Sequence, residues 1–165
     1  MKRFSIFLNL VFLIYCNCVF SFQEDFTQFV NPLIGSDSSH ELSNGNTYPA
    51  IALPWGMNFW TPQTGKMGDG WIYTDKNSGL VGIRQTHQPS PWINDYGAFS
   101  IMPITGELRV LESDRRAQYK NIKVLPHHYK VELTDSKTTI ESAPTKRSAH
   151  FKIQFPKNIK SHIII

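Results

Sequence analysis

The sequence predicts an all-β protein, an antiparallel β-sandwich, on three observations. Apolar residues alternate with polar ones at period two in several runs: Tyr129, Val131 and Leu133 against His128, Lys130 and Glu132, and Phe151, Ile153 and Phe155 against His150, Lys152 and Gln154. Beyond the N-terminal twenty residues no segment keeps apolar residues at i, i+3, i+4 and i+7 for three turns behind a cap, so amphipathic helices are not expected. Short strands joined by polar turns recur at roughly the 8–12-residue spacing of sandwiches and barrels, with no helices between them to make a parallel sheet.

In chain order, the first element is not part of that fold. Lys2 and Arg3 precede an apolar run from Phe4 to Tyr15, and Val19-Phe20-Ser21 offers a cleavage site, so residues 1–21 read as an export signal and 22–165 as the domain. The run is short for a membrane anchor, which needs about 20 apolar residues; an anchor and a lipid-modified Cys16 or Cys18 are the alternatives. The expected location is exported (periplasmic, cell-surface or secreted), with no stable membrane span once the signal is cut. Both cysteines lie inside the signal, so the mature domain has no disulfide and depends on its core.

The charge excludes one class of partner. Seventeen Lys and Arg face thirteen Asp and Glu; without Lys2 and Arg3 the balance is fifteen to thirteen, net +2. The basic residues scatter and do not form the clustered face of a nucleic-acid binder.

Asn31 to Pro91 is rich in Gly and Pro and predicts long ordered loops with short strands. Phe99-Ser100-Ile101-Met102 predicts a strand ended by Pro103, and Thr105-Gly106 turns the chain into Glu107–Leu111. The two alternating runs follow. Ile163-Ile164-Ile165 has the composition of a buried strand interior, which predicts that the chain continues in a longer protein.

The densest chemistry lies between Gly82 and Gly97. Two prolines keep this stretch from being a regular helix or a central strand, and it carries Arg84, His87, Gln88, Trp92 and Asp95. Amphipathic aromatics beside bidentate polar groups suit a sugar, with a ring over its C–H face and polar groups on its hydroxyls. The other reading is that these residues brace their own loop. Trp71, after Gly68-Asp69-Gly70, is a further candidate stacking residue, whereas Trp55 and Trp60, in apolar runs, are expected in the core. Asp69, Asp75 and Asp95 show no spacing that makes a catalytic pair. Asn46 reads as a turn former. His127-His128 would point to opposite faces of a strand, so no shared metal is expected.

Val30-Asn31-Pro32-Leu33-Ile34-Gly35-Ser36, Gly45–Met57, Arg84–Gly97, Tyr129–Leu133, Thr145–His150 and Phe155-Pro156 together resemble the N-terminal domain of glycoside hydrolase family 92, the calcium-dependent exo-acting α-mannosidases. The resemblance runs from Phe26 to the last residue, with Ala50 and Ser36 standing where glycine and threonine are frequent. It implies a β-sandwich that packs on a larger helical barrel domain. It also implies a mannose-containing glycan as substrate, calcium in the full-length enzyme, and an inverting mechanism. Inversion uses two carboxylates about 6.5–9.5 Å apart, and the resemblance puts both in the barrel, beyond this chain. Catalytic residues and metal ligands are therefore not expected here. The resemblance further implies a tryptophan of this domain at the sugar pocket, without fixing which one. Substrate-binding candidates are His87, Gln88, Trp92, Asp95, Trp71 and Arg84. A non-catalytic carbohydrate-binding module and a purely structural scaffold are the alternatives.

Overall fold

The computed structural model describes residues 24–37, 47–65, 73–75, 79–86 and 97–165. Among them the predicted sandwich is present as two four-stranded antiparallel sheets. The strands are β1 (Phe59–Gln63), β2 (Gly82–Thr86), β3 (Gly97–Thr105), β4 (Tyr119–Leu125), β5 (His128–Leu133), β6 (Thr138–Pro144), β7 (Ala149–Gln154) and β8 (Ser161–Ile164). A 3-10 turn at Phe26–Phe29 precedes them, and a single helical turn, α1 (Glu112–Arg115), lies between β3 and β4. No helix among the described residues is long and apolar enough to cross a membrane.

The second sheet, in the order β4-β5-β6-β7, is a meander built on the alternation read from the sequence. Tyr129, Val131 and Leu133 point inward from β5, and Thr138, Ile140 and Ser142 from β6. Register pairs Val131 with Ile140 and Ile140 with Ile153, which stacks branched side chains across three strands. The first sheet runs β1-β2-β3-β8, so the chain leaves it after β3, builds the whole meander, and returns. Ile51, Trp60, Leu80, Ile83, Met102 and Ile104 meet Tyr129, Val131, Leu133 and Ile140 in one core.

Three expectations are corrected. The first residues of the Gly82–Gly97 stretch do form a central strand: Gly82–Thr86 is β2, between β1 and β3, and the prolines of that stretch, Pro89 and Pro91, come only after it. Pro103 does not end the strand: β3 runs to Thr105, and Pro103 pairs with Ile163 of β8. The ladder between β2 and β3 has its last pair at Ile83 and Ile101, so Pro103 has a strand partner on one side only, a local edge that a residue without an N–H tolerates. Gly106 then turns the chain at φ +80°. Trp60 is in the core, but Trp55 is not: it is 97% exposed, while Trp60 is 4% exposed. Trp55 sits in a tight turn closed by Gly56 N–H donating to Leu53 O at 2.9 Å, with φ +58°. Its apolar neighbours gave no hint of this, because Pro54 and Gly56 fix the turn and force the intervening side chain outward.

Candidate functional site

β1 and β2 are buried on both faces, and this organises the site. Their inner face is apolar, carrying Trp60 and Ile83. Their outer face carries Thr61, Gln63, Arg84 and Thr86, which are polar yet buried. Register sets Thr61 beside Arg84 and Arg84 beside Ser100. Tyr48 and Tyr73, with Leu33 and Ala50, form a second small cluster over this face, and the Tyr48 hydroxyl lies 3.1 Å from Thr86 Oγ1.

Arg84, predicted for the sugar-binding loop, is placed at the centre of this layer, 2% exposed. Its Nη1 donates to Gln63 Oε1 at 3.5 Å. Gln63 in turn donates from Nε2 to Glu112 Oε1 at 3.1 Å and to Gly65 O at 3.0 Å. Arg115 Nη2 stands 3.7 Å from the same Glu112 oxygen. Burial pulls Arg84 below the ordinary arginine value, and the Glu112 charge opposes that pull. The buried guanidinium thus stands on the strand that leads in sequence into residues 87–96, with Gln63 as a hydrogen-bond partner and the Glu112 charge acting on it.

The inner face holds a second feature. A cleft of about 440 Å³ is lined by Asn58, Trp60, Gln85, Phe99, Arg147 and Phe151, among others. Trp60 meets Phe99 and Phe151 edge to face, with centroids 5.6 and 4.8 Å away. Its indole N–H donates to Asn58 Oδ1 at 2.7 Å, and Asn58 Nδ2 donates to Thr145 O at 3.1 Å. The aromatic wall is thus fixed by a polar clamp, and the exposed Arg147 stands at its rim.

Of the predicted contacts, His87, Gln88, Trp92, Asp95 and Trp71 lie outside the described residues, as do Asn46 and Asp69. Asp75 is exposed and accepts the Tyr73 hydroxyl at 2.9 Å. His128 Nε2 lies 3.6 Å from Glu141 Oε2. Among the described residues no three His, Cys, Asp or Glu side chains are grouped to hold a metal ion. Gln63, Thr61 and Glu112 were not singled out from sequence. Polar residues alternating along a strand read as a solvated face, and only the covering segments make them buried.

The family model for the glycosyl hydrolase family 92 N-terminal domain matches residues 29–165. An inverting mannosidase of that family from Bacteroides thetaiotaomicron VPI-5482 superposes with a TM-score of 0.79 at 46% identity, over 86% of this chain and 19% of that one. A second family 92 α-mannosidase from Bacteroides thetaiotaomicron gives 0.69 at 29% identity, over 81% and 19%. A glycosyl hydrolase of the same family at 15% identity and TM-score 0.66 shares the fold. The chain thus spans about a fifth of the length of these solved relatives. A search of curated proteins returned no match.

Proposed function

This chain belongs to glycosyl hydrolase family 92, and from that premise we propose that it is the sugar-facing N-terminal domain of an exported α-mannosidase. The enzyme hydrolyses terminal α-mannosyl linkages of glycans, and the domain shapes the pocket while a helical barrel domain supplies the general acid and base. The observation that carries the reading is the buried polar layer around Arg84. A guanidinium held by Gln63 and the Glu112 charge is an expensive thing to bury for stability alone. It fixes the strand from which the loop bearing His87, Gln88, Trp92 and Asp95 departs, and rigid support is what a sugar-gripping loop needs.

The test pairs kinetics with melting in a family-length polypeptide carrying this domain. Trp92→Ala should leave the fold intact and lower kcat/KM roughly five- to 150-fold, the equivalent of about 1–3 kcal/mol of stacking contact. His87→Ala and Asp95→Ala should act likewise. If all three lower the melting temperature and leave turnover per folded molecule unchanged, the loop is scaffold and the proposal fails. The chain by itself should not hydrolyse an aryl α-mannoside, with or without calcium; turnover by the pure chain, abolished by Asp95→Asn, would contradict the assignment of acid and base elsewhere.

One observation favours a second reading, a carbohydrate-binding module. The cleft beside Trp60, Phe99 and Phe151 is formed by this chain's own residues. Saturable binding of methyl α-mannoside to the chain, weakened by Phe151→Ala, would support it.

A further inference from the structure

The sandwich has a second opening, at the far end of β3. Phe99 of β3 lines the aromatic cleft, whereas Met102 to Thr105 line this one. Ile101 also lines the aromatic cleft, so the two linings meet along β3, and at about 3.3 Å per residue their midpoints lie roughly 12 Å apart. The opening is a cleft of about 140 Å³ whose apolar floor includes the buried Met102 and Leu133. Arg109, Arg115, Arg116 and Asp135 line it as well.

Two of these guanidiniums are fixed by the fold. Arg115, 8% exposed, donates from Nε to Val81 O at 3.1 Å, from Nη1 to Val110 O at 3.1 Å and from Nη2 to Ser100 Oγ at 3.4 Å, with Glu112 at 3.7 Å. Arg116 donates from Nη1 to Gly79 O at 2.9 Å. Its arm crosses Gly79 so closely that a Cβ there would come within 2.4 Å of Cγ. The third, Arg109, is exposed, and no hydrogen bond or ion pair to another described residue holds it. Against three arginines stand two carboxylates: Glu112, already engaged by Gln63 and Arg115, and Asp135, whose Oδ2 accepts Gln118 N–H at 3.0 Å. Positive charge is in excess by one, in a recess whose exposed lining is mostly polar.

We propose that this cleft binds one small oxyanion of the phosphate or carboxylate class, with Arg115 and Arg116 as its fixed walls and Arg109 closing over it. Guanidinium groups present paired donors that match such oxyanions. The volume admits one compact anion and not a hexose beside it, and the site adjoins the Arg84 layer through Glu112, which both Arg115 and Gln63 engage.

The test uses the chain itself, titrated with inorganic phosphate or acetate and with chloride at matched ionic strength. Binding is followed by NMR shifts at the arginine side chains and by melting temperature. The expected result is one saturable site for phosphate or acetate, with the better ligand identifying the class. Arg109→Ala, at an exposed position, should weaken it about tenfold or more. Asp135→Asn should tighten it, and Arg147→Ala, at the other end, should leave it unchanged. A response reproduced by chloride, one unaffected by Arg109→Ala, or one lost with Arg147→Ala would overturn the proposal.

Discussion

Arg84 and Tyr48 show how single residues set the stability of this domain. Removing one partner from a buried charge network strands the others, so Arg84→Ala should cost about 3–5 kcal/mol in urea unfolding. Arg84→Lys should rescue only part of that, because a point-charge ammonium cannot make the planar contacts. Tyr48 is pushed up to about 12 by burial, its bond with Thr86 opposing. Burial also raises Tyr73, Tyr119 and Tyr129. A phenol whose value is higher folded than unfolded contributes its full stability below about pH 10 and loses it as pH climbs through the folded value. Denaturant midpoints should therefore be flat near neutrality and fall above pH 10. Tyr48→Phe should cost about 1 kcal/mol at pH 7 for the lost hydrogen bond and make the alkaline fall shallower. A flat profile to pH 12 would refute this. Arg84 was picked out from sequence by its chemistry, but its burial was not legible. Thr61, Gln63, Arg84 and Thr86 alternate as a wet face does, and the residues that cover them come from elsewhere in the chain.

At the scale of elements, β5 and β7 were plain from alternation, whereas β4 and β6 were not: a register shift between Asn121 and Lys123 interrupts the period in β4, and β6 turns the polar Thr138 and Ser142 inward beside Ile140. β1 was not, because both its faces are covered and period two disappears from its burial. The turn at Leu53–Gly56 shows another limit: composition placed Trp55 inside, and turn geometry put it outside. A bulky residue at φ +58° is strained by about 1–2 kcal/mol, which glycine does not incur. Trp55→Gly should accordingly raise the stability of the chain by about 1 kcal/mol, net of glycine's freedom in the unfolded state. A lowered melting temperature would mean that the exposed indole has a stabilising contact.

At the scale of the molecule, apolar side chains crowd parts of the surface. Phe26, Phe29, Val30 and Ile34 are exposed along one segment, Leu108, Val110 and Leu111 along another, and Ile163 on the edge strand β8. Patches of this kind drive association, and an edge strand offers unpaired backbone. Sedimentation of the purified chain should show concentration-dependent self-association, reduced by Ile163→Lys.

The path of the chain between the two sheets bears on the order in which they form. β4 to β7 pair only with their neighbours in sequence, each joined to the next by a short turn. β8 must find β3 after the whole meander has been made, and closing a loop of some tens of residues in place of a tight turn costs roughly 2 kcal/mol more in entropy. Local pairing is fast and distant pairing slow. The meander is therefore expected to form the folding nucleus, with docking of β8 as the closing step. In synthesis from the N-terminus, β1 to β3 emerge first yet wait, one side of β3 unsealed, until the last residues of this sequence arrive. Pulse-labelled hydrogen exchange should protect Val131 and Ile140 amides before those of Met102 and Ile164, and substitutions in β8 should speed unfolding while leaving the folding rate unchanged.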